Sequence, residues 1–185
     1  MSIEVRSLAI PEVLEIVPPK YGDDRGFFSE TYSVAGLSRH EVDLTFVQDN
    51  MSLSVARGVV RGLHYQLPPF AQDKLVRVTR GAILDVAVDI RRSSPTFGKW
   101  VALEVSAEKW NQILVPKGFA HGFVTLMENT EVLYKVSAPY SKEHDRSIRF
   151  DDPAIGIDWG FDVAKAQLSD KDRHAPALAD AEIFE

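Results

Sequence analysis

The stretch VVRGLHYQ, residues 59–66, places an arginine, a histidine and a glutamine within six positions of a run of β-formers. A strand packed only in a hydrophobic core needs none of these polar groups. Because side chains alternate along a strand, His64 and Gln66 share one face while Leu63 and Tyr65 share the other. An imidazole with an ordinary pKa of about 6.5 suits proton abstraction near neutrality. Two interpretations therefore stand side by side: a structural histidine bonded to a neighbouring carbonyl, or a general base facing a cavity.

Other polar side chains accompany predicted strands. Arg25 precedes a run that carries Glu30, and a planar guanidinium offers forked donors suited to phosphate. The QDN segment, residues 48–50, interrupts a strand, either as a bulge or strand end or to recognise a polar ligand. His121 stands between glycines and aromatics, and Tyr134 is either a core tyrosine or an acid that opens into a cavity. From these residues alone, an enzyme and a binding module both remain open.

Composition bounds the class of protein. The chain has 185 residues, with 45% hydrophobic and 26% charged residues, which fits one globular domain over residues 1–185. The absence of cysteine excludes disulfides and thiolate nucleophiles. A net charge of −6 argues against nucleic acid as a partner. No apolar run approaches the ~18 residues of a membrane span, and no signal peptide is evident, so we expect a cytoplasmic protein without a membrane partner.

Metal and cofactor motifs are missing from the sequence. No HxH pair occurs, and no P-loop or GxGxxG fingerprint is present. We therefore expect neither a metal site nor a nucleotide cofactor. The histidines are His40, His64, His121, His144 and His174.

The elements that must position these groups are short strands separated by Gly, Pro, Asp and Ser. In AILDVAVDI, Leu84, Val86 and Val88 share one face while Asp85 and Asp89 lie on the other, a clear period of two. Helix signals are limited to a cap at Ser33 and to the tail after Pro176, with residues 160–185 loosely structured or in short helices. This pattern predicts an all-β sandwich or barrel. The predicted strands cover residues 13–17, 26–32, 45–55, 59–66, 74–80, 82–90, 99–105, 111–116, 118–126, 131–138 and 147–150.

Taken in order, these motifs resemble a known family of enzymes. DDRGFFSETY, FVQDNMS, VVRGLHYQ, KLVRVTRGAILDVAVDIRRSSPTFGKW, ILVPKGFAHGFVTL, EVLYKV and LSDKD closely resemble the dTDP-4-dehydrorhamnose 3,5-epimerase family, from about residue 3 to about residue 180. The resemblance implies a cupin-type jelly roll, a homodimer with a sheet extended across its interface, and cofactor-free catalysis. The implied reaction converts dTDP-4-dehydro-6-deoxy-D-glucose to dTDP-4-dehydro-L-rhamnose.

The resemblance also implies a role for four catalytic side chains. His64 matches the base that removes a proton beside the C4 ketone, and Asp172 in LSDKD matches the carboxylate paired with it. Lys74 matches the lysine near the C4 oxygen, where a positive charge lowers the barrier to enolate formation. Tyr134 matches the acid that returns a proton on the opposite face.

Further positions match the family's substrate contacts. Phe28 and Tyr140 are implied as aromatic neighbours of the thymine ring, and Arg61 as a cation toward the diphosphate and sugar. In YSKEHDRSI either Glu143 or Asp145 matches the family's carboxylate, and counting from Tyr134 favours Asp145. The implied substrate-binding residues are Arg25, Phe28, Glu30, Gln48, Asp49, Asn50, Arg61, His121, Tyr140, Asp145 and Lys171.

Two other functions remain beside the 3,5-epimerase. One is a relative that epimerises a single carbon or isomerises the ketone in a deoxysugar pathway. The other is a non-catalytic cupin that binds a sugar nucleotide. A pure binder needs the arginines but not His64, Asp172, Lys74 and Tyr134 together, so the catalytic functions are favoured.

Overall fold

The computed structural model describes residues 3–185, in which two antiparallel sheets form a sandwich. The six-stranded sheet contains, in spatial order, β1 (Glu4–Ser7), β2 (Leu14–Val17), β10 (Gln112–Val115), β7 (Lys74–Arg80), β12 (Thr130–Val136) and β5 (Gln48–Ser54). The five-stranded sheet contains β13 (Asp145–Ser147), β6 (Val60–Gln66), β11 (Phe119–Thr125), β8 (Ala82–Asp89) and β9 (Trp100–Ser106). A separate hairpin joins β3 (Tyr21–Asp23) to β4 (Gly26–Phe28). The predicted all-β class is confirmed.

The core follows the period-two patterns of the strands. On β8, Ile83 and Ala87 face the interior between the sheets, where they pack with Val76 of β7 and Val132 of β12. Val86, on the opposite face of β8, belongs to a second apolar cluster outside the five-stranded sheet. Both faces of β8 are therefore buried. Its inward carboxylates, Asp85 and Asp89, lie where polar groups need hydrogen-bond partners.

Two outer layers cover the sheets. Trp159 and Ile183, from the C-terminal third of the chain, pack on the outer face of the five-stranded sheet. Helix α1 (Val34–Ser38) covers the six-stranded sheet with Leu37, and Ser33 caps it by accepting a hydrogen bond from the Gly36 amide, as the sequence predicts. A short helix, α2 (Asp170–Arg173), follows Ser169 and reaches the interior of the sandwich.

Several predicted boundaries are wrong for identifiable reasons. The strand predicted over 26–32 ends at Phe28, because the chain beyond it is held by side chains, with Trp110 donating to the Ser29 hydroxyl and Gln112 to the Thr31 carbonyl. The strand predicted over 45–55 begins only at Gln48, so the QDN segment is a strand end, one of the alternatives that the sequence left open, and β5 pairs with β12 along its whole length. The last strand starts at Asp145, two residues before the predicted run.

The C-terminal segment also differs from the pattern. The tail after Pro176 contains a single 3-10 turn, Leu178–Asp180, because Ala181 and Ile183 beyond it are drawn onto the outer core. The sequence pattern allowed short helices within residues 160–185, where α2 lies, without giving its bounds, and it predicted neither β1 nor β3. Within residues 3–185, no helix has the length and apolarity needed to cross a membrane.

Strands β6 and β11 approach each other unusually closely beside the polar groups. A Cβ atom on Gly62, whose φ is +124°, would lie 2.6 Å from the Gly122 Cα, and one on Gly122 would lie 2.8 Å from the Arg61 carbonyl oxygen. Only glycine fits both positions. The ladder shifts register here, and His64 pairs directly with His121. The two glycines thereby set two histidines side by side on the inner face.

Candidate active site

The candidate site is a cleft of about 350 Å³ between the two sheets. It receives side chains from β5, β7 and β12 of one sheet and from β6 and β13 of the other, and α2 borders it. Its lining residues are Gln48, Asn50, His64, Tyr65, Gln66, Gln72, Lys74, Tyr134, Val136, Tyr140, Asp145 and Lys171. Most of these are the inward positions of strands, which is why polar side chains converge here.

A histidine–aspartate pair stands at the centre of the site. His64 Nε2 lies 2.5 Å from Asp172 Oδ1, although the two residues are 108 positions apart in sequence. The Ser169 hydroxyl donates to the second oxygen, Oδ2, at 2.8 Å, and caps the backbone amide of Asp172. Both carboxylate oxygens are engaged, so Asp172 holds the imidazole in one orientation.

The environment of this pair favours a neutral imidazole and an ionised carboxylate. Burial lowers the pKa of His64 and outweighs the hydrogen bond and charge of Asp172, which raise it. Burial alone raises the pKa of Asp172, but hydrogen bonds from His64 and Ser169 bring it below its ordinary value. Nε2–H therefore donates to Asp172, and Nδ1 carries the lone pair. Among residues 3–185 that nitrogen has no hydrogen-bond partner, so it is available as a base.

Lys74, on the inner face of β7 in the six-stranded sheet, brings a positive charge to the cleft. Its Nζ donates to the His64 carbonyl oxygen at 3.4 Å. Burial lowers the pKa of Lys74 to about 8, while the charges of Asp85 and Asp145 act in the opposite direction. The ammonium is thus largely protonated near neutrality in a poorly solvated place, where it interacts strongly with a developing negative charge.

Tyr134 lies on β12, in the sheet opposite the one that carries His64, and its side chain enters the cleft. Burial raises the pKa of its phenol, and the nearby charge of Arg61 opposes that effect. The phenol therefore stays protonated at neutral pH, as an acid must. No other described residue forms a hydrogen bond with its hydroxyl, which leaves the proton available to a bound molecule.

A second histidine–aspartate pair lies on the inner face beside the first. His121 Nε2 is 2.9 Å from each carboxylate oxygen of Asp85, and the Asp85 side chain is fully buried. Asp85 also lies close enough to Lys74 to raise its pKa. His121 was predicted from the sequence as a site residue, whereas Asp85 was not, although the inward period of β8 was visible in the sequence.

The open side of the cleft is bordered by a charged pair and an aromatic ring. Lys171 Nζ lies 2.5 Å from Asp145 Oδ2, and the Tyr140 hydroxyl donates to the same oxygen at 3.4 Å. Tyr140 itself is 60% exposed. The structure places Asp145 in the cleft, whereas Glu143 lies in a separate surface groove with His144. The register that counting from Tyr134 favoured is the one that reaches the cleft.

Strand alternation divides the QDN segment. Gln48 and Asn50 face the cleft, and Gln48 Nε2 donates to Asn50 Oδ1 at 2.8 Å. Asp49 points outward, where it forms an ion pair with Lys135 at 2.8 Å. Asp49 therefore does not face the cleft of its own chain, because a strand cannot turn three consecutive side chains to one face, and its contact with substrate stays a prediction.

Arg61 borders an adjoining groove instead of the main cleft. Its guanidinium donates to the Ser54 hydroxyl at 3.2 Å and to the Leu53 carbonyl at 3.3 Å. The groove shares His64 with the cleft, and Asp172 lines the groove as well. Arg61 therefore stands as a cation beside the histidine–aspartate pair.

Three predicted contacts do not line the cleft of their own chain. Arg25 is on the β3–β4 hairpin, paired with Asp23, and its side chain is 89% exposed. Phe28 is 70% exposed, and both Phe28 and Glu30 line a different cavity, together with Arg39. A single chain thus does not assemble the complete set of predicted contacts.

The sandwich, the His64–Asp172 pair, Lys74 and Tyr134 define an acid–base enzyme of the jelly-roll type, which transfers protons inside a cleft. The chain belongs to the dTDP-4-dehydrorhamnose 3,5-epimerase family, whose family model matches residues 7–180. This confirms the predicted family, and with it the cupin-type fold.

Individual relatives agree with this assignment. A dTDP-4-dehydrorhamnose 3,5-epimerase of Sinorhizobium fredii is 54% identical over 178 residues, covering 96% of this chain and 91% of the relative. The crystal structure of an epimerase from Legionella pneumophila in complex with dTDP-4-keto-L-rhamnose matches with a TM-score of 0.91 and 43% identity, covering 96% of this chain and 94% of that one. A 3′-monoepimerase from Streptomyces bikiniensis in complex with dTDP-quinovose matches with a TM-score of 0.87 and 34% identity, covering 94% and 87%.

Proposed function

We propose that this chain is a dTDP-4-dehydrorhamnose 3,5-epimerase that converts dTDP-4-dehydro-6-deoxy-D-glucose to dTDP-4-dehydro-L-rhamnose. The observation that carries the proposal is the placement of His64 and Tyr134 on opposite sheets, facing one cleft. Inversion at carbon requires a base on one side of the sugar ring and an acid on the other. We expect the enzyme to act in the cytoplasm, on a substrate carried by a thymidine diphosphate.

Proton removal starts at a carbon beside the C4 ketone. The protons on C3 and C5 are acidic because the carbanion formed on their loss delocalises onto the C4 oxygen. His64 Nδ1 takes the proton, and Asp172 stabilises the imidazolium that results. The C–H electron pair becomes the enolate, whose oxygen carries the negative charge.

Lys74 supplies the charge that this enolate needs. Its ammonium is held in place within the cleft before the reaction begins, so little reorganisation accompanies charge formation. His121 and its buried partner Asp85 lie on the inner face of the five-stranded sheet, opposite the sheet that carries Lys74, and we place a contact to the sugar there. These groups stabilise the enolate and so lower the barrier to proton removal.

Reprotonation from the other face completes the inversion. The Tyr134 hydroxyl gives its proton to the carbon, and the enolate electron pair forms the new C–H bond as the ketone returns. His64 loses its proton to solvent and Tyr134 regains one, after which the sequence repeats at the second carbon. Both new C–H protons come from exchangeable positions, so each epimerised carbon carries deuterium when the reaction runs in D₂O.

The remaining cleft residues are proposed to bind the nucleotide and sugar. Lys171 and Arg61 provide cations for the diphosphate, and Gln48 and Asn50 provide amide groups on the inner face of β5. Tyr140, exposed at the edge of the cleft, provides a ring on which thymine can stack. Asp145, tied to Lys171, completes this wall.

We further propose that the enzyme is a homodimer. Strand β5 is an edge strand: one side of its backbone pairs with β12 and, within residues 3–185, the other side has no partner strand. Its outward face exposes Met51 at 61% and Leu53 at 50%. Unpaired edges and exposed apolar side chains of this kind favour pairing with a second copy. The exposed hairpin would then carry Arg25 and Phe28 to a neighbouring subunit, which accounts for their distance from the cleft of their own chain.

A single-carbon epimerase is the second candidate, and the structural match to a 3′-monoepimerase favours it. Both candidates use the same base and acid, and they differ in how many carbons the Tyr134 hydroxyl reaches. The identity to that monoepimerase is 34%, against 54% for the Sinorhizobium fredii 3,5-epimerase, so we place the double epimerisation first.

Proton NMR of the purified, metal-stripped protein with the 4-keto sugar nucleotide in D₂O tests the proposal. Deuterium at both C3 and C5, with the L-rhamno product, is the expected result. Deuterium at one carbon supports the single-carbon epimerase, and deuterium at neither supports a non-catalytic binder. The His64→Ala variant is the control: it should lose exchange while still binding dTDP, and normal exchange in that variant would remove His64 from the role of base.

A further inference from the structure

Tyr140 lies in a segment with little regular structure of its own. It follows β12 and precedes β13, outside any strand or helix. Its ring is 60% exposed, and its hydroxyl makes only a long hydrogen bond, 3.4 Å, to Asp145. Packing of the ring therefore does little to hold it, and its position depends on the backbone on either side.

One buried amide holds that backbone on both sides. The Ser141 amide donates to Gln66 Oε1 at 2.7 Å, and Gln66 Nε2 donates to the Pro139 carbonyl at 3.1 Å. The same Nε2 donates to the Phe70 carbonyl at 2.7 Å, on a second loop. Gln66 thus bonds the residues immediately before and after Tyr140 and ties them to the rest of the sandwich.

Gln66 is well suited to hold this segment rigidly. Its side chain is 4% exposed, and it lies on β6 two positions after His64, on the same inner face. Both N–H donors of its amide are used, and its oxygen accepts from Ser141. A buried amide with these bonds formed has one favourable orientation. Gln72 bonds the carbonyl of Ala138 at 2.8 Å, so it reaches the same segment, but only before Tyr140.

We propose that Gln66 is a positioning residue for nucleotide binding, which acts by holding the Tyr140 ring over the cleft before the thymidine diphosphate arrives. The proposal rests on the function proposed above, because it takes thymine as the group that stacks on Tyr140. Both donors of Gln66 are used within the protein, so we infer that its effect on the nucleotide passes through Tyr140. Preorganisation of this kind raises affinity because less ordering remains to be done on binding.

Removal of the amide tests the proposal, first without any ligand. In the Gln66→Met variant, which keeps the length of the side chain, the Ser141 amide loses its acceptor. Hydrogen exchange measured by mass spectrometry should become faster in residues 137–144, while exchange in β8 should stay unchanged. Unchanged exchange in residues 137–144 would overturn the proposal, whether or not the protein is an epimerase.

The second measurement is a double-mutant cycle on the affinity for dTDP, determined by calorimetry. We expect Tyr140→Ala to weaken dTDP binding about tenfold, since base–aromatic stacking has that order of effect. Gln66→Met should weaken it by a smaller factor, and the double variant should bind no more weakly than Tyr140→Ala alone. Multiplicative losses would show that Gln66 acts independently of Tyr140 and would overturn the proposal.

Two further variants separate positioning from general stability. Gln66→Glu keeps an acceptor for Ser141 but loses both donors, so it should show an intermediate loss of dTDP affinity if Gln66→Met does not fold. Asn111→Leu is the matched control, because Asn111 is another buried amide with three hydrogen bonds, to Glu15, Glu104 and Ser106. It should lower the melting temperature without changing dTDP affinity. An equal loss of affinity in Asn111→Leu would reduce Gln66 to a structural role.

The outcomes for the two proposals remain distinct. If the wild-type protein binds dTDP but incorporates no deuterium into the sugar, the epimerase proposal fails while the role of Gln66 stands. If deuterium appears at C3 and C5 but the cycle shows no coupling, the role of Gln66 fails while the epimerase stands. If wild type does not bind dTDP, the nucleotide-binding role of Gln66 fails together with the proposed substrate.

Discussion

Lys171 and Asp172 are consecutive residues of α2, yet their side chains contact two different strands of the five-stranded sheet, β13 and β6. Lys171 pairs with Asp145 at the open edge, whereas Asp172 reaches inward to His64, each at 2.5 Å. One helical turn therefore sets both the charge at the entrance and the orientation of the base. Ser169 caps this turn and also bonds Asp172, so the local structure of α2 and the chemistry of the dyad depend on the same hydroxyl.

The Asp172→Asn variant should lose activity while keeping the fold. An asparagine can accept from His64 but carries no negative charge to stabilise the imidazolium, so kcat should fall by about 10²–10⁴. Steady-state kinetics with the 4-keto sugar nucleotide provide the measurement. Ser169→Ala is the matched variant: it leaves the Asp172 charge in place and removes only the two hydrogen bonds of the Ser169 hydroxyl, to Oδ2 and from the backbone amide of Asp172, so its loss should be about tenfold or less. Equal losses in both variants would contradict the role given to the Asp172 charge.

The Tyr134→Phe variant should separate proton removal from inversion. Without the phenol, His64 still forms the enolate and can return a deuteron to the face from which the proton left. Turnover to product should fall by about 10²–10⁴, while exchange of substrate protons in D₂O falls much less. NMR of the recovered substrate measures the exchange. If exchange and turnover fall together, Tyr134 contributes to the first step and is not simply the acid.

Activity should depend on pH with a maximum near neutrality. His64 must be neutral to act, so kcat/KM should fall as pH decreases through a pKa that burial places below the ordinary value of His. Lys74 must be protonated to stabilise the enolate, so kcat/KM should fall again as pH rises above about 8. Lys74→Arg keeps its charge at that pH and should move the alkaline limb upward. An alkaline limb that stays in place in this variant would assign it to another group.

Much of the fold and part of the site could be predicted from the sequence. The alternation of β8 and the Ser33 cap are local signals, and both predict the structure correctly. The QDN segment shows the limit of a match to family motifs: Asp49 lies within the motif, but the alternation of β5 turns it away from the cleft. Alternation was readable in the sequence and should have separated Asp49 from its neighbours.

Other features depend on contacts that no local pattern contains. Helix α2 has only four residues, and it is stabilised by the bond from Asp172 to His64 across 108 positions. The strand β3 has no apolar alternation, and it forms because it pairs with β4. Gln66 was noted as polar, but its role depends on two loops, at Phe70 and at Pro139, that only the folded chain brings together.

Acid should destabilise the fold partly through Asp89, outside the site. This fully buried carboxylate accepts from Arg91, Ser94 and Thr96; burial alone raises its pKa, and these bonds lower it to about 2. A depressed pKa stabilises the folded state above the unfolded pKa of about 3.9 and loses that contribution as pH falls toward 2. The free energy of unfolding should drop by about 2 kcal/mol more in wild type than in Asp89→Asn between pH 5 and 2. Urea unfolding at several pH values measures this difference, and parallel curves would contradict it.

Dimer formation and the exposed hairpin can be tested together by mixing inactive variants. Arg25→Ala should lose activity because Arg25 completes the cleft of the neighbouring subunit. His64→Ala should lose activity because His64 acts in the cleft of its own chain. A mixed dimer then contains one cleft with an intact His64 and an intact Arg25, supplied by different chains. After unfolding and refolding together, the mixture should regain about a quarter of wild-type activity, because half of the dimers are mixed and each has one complete site.

The controls for this experiment follow from the geometry of the edge strand. Leu53→Glu places a charge on the outward face of β5, so it should shift the protein toward monomer in light scattering and abolish the recovery. Asp158→Asn, a substitution at an exposed residue outside β5, should leave the dimer intact. Full activity of Arg25→Ala alone, or no recovery in a mixture shown to contain mixed dimers, would place Arg25 outside the active site of either subunit.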